Sequence, residues 1–249
     1  MLYAIISDIH GNLEALSAVL ERIDSLPVER VYCLGDIVGY GADPEECMHR
    51  ALDRANGAIR GNHDKAAAGL LDLTWFNRMA REAIEWTRRA LSAQTLDRLR
   101  RLPQGPIMVD EGILLCHGTP YDEDVYMTDE DSIAQSYACL DASFPDIRFC
   151  FHGHTHFPLV ISRKKRGGRV NVATGVEKTH LEKGAVYLIN PGSVGQPRDG
   201  IALASFGILD AAQMVYSNIR VPYRIDIAQN KIRQARLPDM LAERLGQGK

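Results

Sequence analysis

At 249 residues, 45% hydrophobic and 24% charged, the chain has ordinary globular composition, which excludes a fibrous, low-complexity or disordered protein. Its formal net charge of −3 gives no global attraction to nucleic acid or an anionic membrane, so any polyanionic substrate has to be held locally. The five cysteines (Cys33, Cys47, Cys116, Cys139 and Cys150) lack a C-x-x-C pair, which excludes a zinc ribbon and a disulfide framework; with no basic leader or long apolar window, a reducing, cytoplasmic setting without a membrane span is expected.

The first apolar run, Leu2 to Ser7, is short and rich in branched residues, as a buried strand is. Leu13, Leu16, Val19, Leu20 and Ile23 then recur at helical spacing. A second strand-like run covers Arg30 to Leu34. Asp43 followed by Pro44 marks the start of a second helix, because the fixed φ of proline suits a first helical turn. A third run, Ala58 to Arg60, completes a strand, helix, strand, helix, strand order that predicts right-handed crossovers and a mainly parallel sheet. From 66 to 103 the pattern is helical, carrying Trp75, Phe76, Met79, Ile84, Trp86, Leu91, Leu96 and Leu99 before Pro103, and reads as a helical insertion. Strand-like runs return at Ile113 to Cys116 and Ile147 to Phe151, with Thr128 as cap of a helix between them.

Beyond Phe157 the chain turns to β. Leu159 to Ser162 and Arg169 to Val172 flank Lys164-Lys165-Arg166-Gly167-Gly168 as a hairpin, and further runs cover Ala185 to Ile189, Ala202 to Leu209 and Gln213 to Asn218. The tail, 225–249, spaces Ile227, Ile232, Leu237, Leu241 and Leu245 at helical intervals interrupted by Pro238, which predicts two short helices. No linker divides the chain, so 1–249 is expected to form one domain with elaborations.

Each of the five apolar runs before Phe157 ends in residues able to bind a metal. These are Asp8 and His10, then Asp36, then Asn62 with His63 and Asp64, then His117, then His154 and His156. In an open sheet, side chains just beyond the carboxyl ends of the strands converge on one crevice. Singly, each has a plainer reading: an Asp after a strand caps a helix or makes a turn, and a lone His is a satisfied structural residue, the reading given to His49, His152 and His180. Five such endings together are not explained as caps.

The motifs Asp8-Ile9-His10, Gly35-Asp36, Gly61-Asn62-His63-Asp64, His117-Gly118 and Gly153-His154-Thr155-His156 stand in the order seen in calcineurin-like metallophosphoesterases, a family this sequence resembles. Asn190-Pro191-Gly192-Ser193 and Gly195-Gln196-Pro197-Arg198 resemble its smaller bacterial and archaeal phosphodiesterase-type branch. The resemblance implies an α/β fold: a two-sheet mixed β-sandwich flanked by helices in four layers, α/β/β/α, with the helical insertion added. It implies two divalent metal ions, with Asp8, His10 and His156 on one, Asn62, His117 and His154 on the other, and Asp36 bridging.

A carboxylate between two dications holds them about 3.5–4 Å apart. Imidazole and carboxylate ligands favour Mn, Fe, Zn, Co or Ni over Mg or Ca, with manganese the first choice. The expected reaction is in-line attack of a metal-bound hydroxide on phosphorus, with catalytic His63 protonating the leaving oxygen and Asp64 orienting that ring. The leading expectation is a phosphodiesterase acting on small organic or nucleotide phosphate esters. The same core serves phosphomonoesterases such as serine/threonine protein phosphatases and dinucleoside polyphosphate hydrolases; a non-catalytic scaffold of this fold is the alternative of another class.

Other features carry paired readings. Pro191 occupies the first glycine position of a G-x-S-x-G elbow around Ser193, so that segment is a turn, with Arg198 or nearby N–H groups as its substrate-binding alternative. Arg163-Lys164-Lys165-Arg166 is a solvated hairpin tip or a phosphate contact. Asp122-Glu123-Asp124 belongs to a surface loop that, overhanging the site, disfavours long polyanions, and Trp75 and Phe76 pack as core or wall off a leaving group. Cys116 and Cys150 read as small buried hydrophobes.

Overall fold

The structure, a computed structural model, describes residues 1–164 and 167–249. Its first elements are β1 (Leu2–Ile6), α1 (Leu13–Asp24), β2 (Arg30–Cys33), α2 (Pro44–Arg54), β3 (Gly57–Ala58) and α3 (Asn62–Ala67). A single 3-10 turn over Leu73–Trp75 leads into α4 (Arg78–Ala90) and α5 (Ala93–Arg101). There follow β4 (Ile107–Asp110), β5 (Ile113–Leu115), α6 (Glu130–Ser143), β6 (Phe149–Phe151), β7 (Leu159–Arg163), β8 (Val170–Thr174), β9 (Lys178–His180), β10 (Val186–Asn190), β11 (Ala204–Asp210), β12 (Val215–Val221), α7 (Ile225–Gln234) and α8 (Asp239–Gln247).

The strands form two six-stranded mixed sheets, ordered β3-β2-β1-β11-β12-β9 and β4-β5-β6-β10-β7-β8. β1, β2 and β3 are parallel, as the crossovers require. The two-sheet division expected from the resemblance is present, with β5 and β6 pairing with each other in the second sheet. Strands buried on both faces carry the same near-continuous apolar signal in either sheet, so the five runs give no hint of the division. Antiparallel strands complete both sheets, β11 against β1 and β7 against β10.

Side chains alternate across each strand, and this builds the layers. In β1, Ala4 and Ile6 face a cluster shared with α1 and α2, while Tyr3 and Ile5 face the second sheet. In β6, Phe149 and Phe151 meet them from the other side, and Cys150 points outward to Tyr137 and Leu140 of α6. The order across the molecule is therefore helix, sheet, sheet, helix. Each fully buried Ile, Leu or Phe in these layers stabilises by about 1.5–3 kcal/mol relative to exposure.

The helices of the 66–103 region and of the tail meet in a third place: Ala80 and Ala83 of α4 pack with Ala228, Ile232, Leu241 and Leu245 around Tyr40. Pro238 stands immediately before α8, so the interruption seen in the tail is a real boundary. The cap of α6 is Asp129, whose carboxylate accepts from the Ser132 N–H, and not Thr128; the residue one step nearer the helix places its oxygen on the free donor. Lys165 and Arg166 of the basic run lie outside the described residues. Arg163 is buried against Asp141 and over the Tyr137 ring, and Lys164 pairs with Glu182 at 2.7 Å, so both described members are taken by protein partners. No helix among the described residues is long and apolar enough to cross a membrane.

Candidate metal centre

The carboxyl ends of the parallel strands in both sheets meet at one edge of the sandwich, and all seven expected ligands arrive there. Asp8 and His10 follow β1, Asp36 follows β2, Asn62 opens α3, His117 follows β5, and His154 and His156 follow β6. Six of the seven are at most 3% exposed: Asp8, His10, Asp36, His117, His154 and His156.

The backbone is bent to deliver them. Asp8, His10, Asp36, His154 and His156 all have φ between 50° and 66°, the left-handed region that non-glycine residues enter at a cost of about 1–3 kcal/mol each. Main-chain bonds between loops hold these bends: Asp8 N–H donates to Gly35 O at 3.0 Å, His10 N–H to Asp36 O at 2.9 Å and Gly153 N–H to His117 O at 2.8 Å. Gly61 has to be glycine for a second reason, since a Cβ there meets Asp36 Oδ1 and comes within 2.6 Å of the His117 ring.

The donor atoms fall into three overlapping groups, each with its members within 4.8 Å: Asp8, His10 and His156; His10, Asp36 and His63; Asp36, His117 and His154. The first and third match the two expected ligand sets, and Asp36 belongs to both of the last two. Asn62 completes the third, its Oδ1 lying 3.2 Å from His117 Nε2.

The donor chemistry suits cations. His117 Nδ1 donates to Leu34 O at 2.8 Å, so its Nε2 is the atom aimed at Asp36 Oδ2, 3.4 Å away. His156 is arranged likewise, with Nδ1 on Gln196 O at 2.6 Å and Nε2 3.4 Å from Asp8 Oδ1. His154 Nε2 is buried without any hydrogen-bond partner, an arrangement that a metal ion satisfies.

Burial dominates the electrostatics. It pushes His10 and His156 well below the ordinary imidazole value, and it pushes Asp8 up to about 6 against the pull of His117. At Asp36 burial is outweighed by His117, His63 and His10, which hold the carboxyl well below its usual range; the same attraction overcomes the burial of His117 and raises that ring to about 10.

His63 lies next to the expected ligands with its ring edge-on to His10 at 4.8 Å and tilted on Tyr40 at 4.4 Å, and burial lowers it to about 4. Asp64 does not orient it. Its two oxygens accept from the N–H groups of Val38 at 3.1 Å and Gly61 at 3.0 Å, so it ties the Asp36 loop to the start of α3. Contact with Tyr40 and Phe76 fixes the His63 ring instead.

Arg198 stands on the His10 and His156 side, bonded to Gln196 Oε1 at 3.0 Å, and its charge lowers both rings. Residues read as a turn do more than turn the chain. Ser193 Oγ donates to Asp8 O at 2.8 Å and accepts from Gln196 N–H, while Asn190 Nδ2 donates to Gly153 O at 2.8 Å. Tyr40 and Tyr126 gave no sequence signal, because neither falls on a periodic face or in a motif. His49 is half-buried and His180 exposed, both outside the cluster, and His152 is fully buried.

A two-sheet sandwich whose joint edge carries this His and Asp cluster defines a metallophosphoesterase, and the chain belongs to the calcineurin-like phosphoesterase superfamily, whose domain model matches residues 1–214. It is 38% identical to an uncharacterised protein of Methanocaldococcus jannaschii over 99% of this chain and 98% of that one. Among solved structures, it is similar to a metallophosphoesterase from Sphaerobacter thermophilus, with 38% identity, a TM-score of 0.85, and coverage of 100% of this chain and 99% of the other. A hypothetical protein from Pyrococcus horikoshii OT3 shares the fold at 22% identity and a TM-score of 0.78, over 100% of this chain and 98% of that chain.

Proposed function

We propose that the protein is a two-metal phosphoesterase that hydrolyses small phosphodiesters, with Asp8, His10 and His156 holding one divalent transition metal, Asn62, His117 and His154 the other, and Asp36 both. The observation that carries this reading is the position of Asp36, whose carboxylate lies within reach both of His10 and of the His117 and His154 donors, since a carboxylate set between two donor groups can serve two adjacent ions. When bound, two such ions bind phosphoryl oxygens and make coordinated water a nucleophile near neutral pH. Manganese is the first ion to test.

The residues of the chain supply the rest. Asp36 keeps its second oxygen for His63 N–H at 2.8 Å, so the carboxylate cannot rotate away from the ions. His63 is not needed as a ligand, and its imidazole lines the adjoining cleft, where its N–H can hydrogen-bond the departing ester oxygen. Arg198, whose charge reaches His10, His156 and His63, can steady a non-reacting phosphoryl oxygen.

The test is hydrolysis of matched aryl phosphate monoesters and diesters by metal-stripped protein before and after adding Mn²⁺, with His63→Ala alongside. Metal-dependent diester cleavage is expected, with His63→Ala retaining its metal and losing turnover. Monoester preference moves the reading to a phosphatase, and cleavage of neither by metal-loaded protein overturns it in favour of a scaffold.

A further inference from the structure

Resting on the phosphoesterase reading, we infer that the cleft beside His63 and His154 selects esters of a single phosphate whose leaving alcohol carries a flat aromatic ring with no negative charge. The cleft has a volume of ≈ 480 Å³, within the range of small-molecule sites. Asn62, His63 and His154 are part of its lining, so a phosphoryl group at the metal centre sends its leaving group into this space.

The walls are aromatic. On the His154 side, Tyr126 stacks on the imidazole with ring centroids 3.8 Å apart and remains 46% exposed. On the His63 side, Phe76 meets the imidazole edge-on at 5.1 Å, and its neighbour Trp75 is 81% exposed. An indole left almost wholly in water at the wall of a cleft gains by stacking on a flat ring, and so does the free face of Tyr126.

The charge in the cleft is one-sided. Asp122 and Asp124 line it, and among the described residues no Lys or Arg does. Lys65, the cation of the neighbouring helix, is committed to Glu123 at 2.5 Å and Asp124 at 2.7 Å. Three carboxylates, Asp122, Glu123 and Asp124, therefore face one ammonium, and Asp122 has no cationic partner among the described residues. A second phosphate reaching into the cleft beyond the metal centre meets Asp122 with no Lys or Arg of the described lining to offset it, so polyphosphate chains and nucleic-acid backbones are disfavoured while a neutral aromatic ring is accepted.

The test uses the Mn²⁺-loaded full chain and three probes that share one leaving hydroxyl: a nucleoside cyclic phosphodiester, its base-free methyl riboside counterpart, and the nucleoside compound with an added phosphate on its remaining sugar hydroxyl. We expect kcat/KM to be about tenfold or more higher for the first than for the second, with the gap closed in Trp75→Ala/Tyr126→Ala. The third is expected to react about tenfold more slowly than the first, with part of the rate restored by Asp122→Asn. Equal rates on the first two overturn the inference and leave the hydrolase intact, whereas no cleavage of any ester overturns both. An independent readout is tryptophan fluorescence: an uncleavable phosphonate analogue of the first probe should quench wild type and not Trp75→Phe. Equal quenching in both overturns the inference whatever the turnover.

Discussion

The Nε2 atoms of His10 and His156 face each other across 3.1 Å, while the Nδ1 atom of each ring lies against a main-chain carbonyl, that of Val38 and Gln196 respectively. A carbonyl only accepts, so each Nδ1 carries the proton and each neutral ring turns a lone pair toward the other. Burial opposes protonating either ring. Two lone pairs so placed repel, and a cation between them and Asp8 converts the repulsion into two bonds.

Metal loading is therefore expected to stabilise the fold strongly. With the free ion at about 100 times its dissociation constant, binding adds about 2.7 kcal/mol, which for a chain of this size raises Tm by about 5–10 °C. Calorimetry of chelator-treated protein with and without Mn²⁺ checks this; an unchanged Tm removes the metal assignment.

Ser193→Ala breaks the bond to Asp8 O and strands the buried Gln196 N–H. The expected cost is about 1–3 kcal/mol, with metal affinity lowered about 10- to 100-fold although no ligand is touched. Denaturant melts of the apoprotein read the first effect and isothermal titration with Mn²⁺ the second.

Gly61→Ala inserts a Cβ between Asp36 and His117. Relief requires the Asp36 loop to move, so destabilisation of about 1–3 kcal/mol should accompany loss of the metal site. Gly69→Ala, where a Cβ meets nothing within 4 Å, is the comparison for metal binding and should keep its ions.

A pH effect is expected far from the centre. Burial raises the Glu45 carboxyl, but hydrogen bonds from Thr95 Oγ1 at 2.5 Å and from Ser92 N–H and Oγ at 2.9 and 2.8 Å outweigh it and leave the pKa below its ordinary value. The folded value is depressed, so the stabilisation is present above the unfolded value of about 4.3 and is lost as pH falls through the folded one. Glu45 is partly solvated, which keeps the effect below about 1 kcal/mol. Urea midpoints of Glu45→Gln and wild type should differ at pH 6 and converge toward about pH 3.5; a gap that is constant with pH rejects the linkage.

The residues gathered at the edge of the sandwich were legible in the sequence because each sits in a short motif directly after an apolar run. The left-handed bends at Asp8, His10 and Asp36 were not, since nothing in composition marks a strained φ in an Asp or His. β4 and β9 escaped because they are short and half-exposed, with neither an apolar run nor clean alternation. Ser193 was seen and undervalued: its neighbours spell a turn, and only the fold shows that the turn grips Asp8. Asp64 was given a partner by adjacency, whereas a helical N-terminus points consecutive side chains in different directions.

β1 lies between β2 and β11, so the strand that presents Asp8 and His10 is finished only by residues more than 190 positions later. Tyr40, which braces His10 and His63, is covered by helices later still, up to Leu245. A chain cut before α7 therefore keeps every residue of the His and Asp cluster and lacks the helices that cover Tyr40.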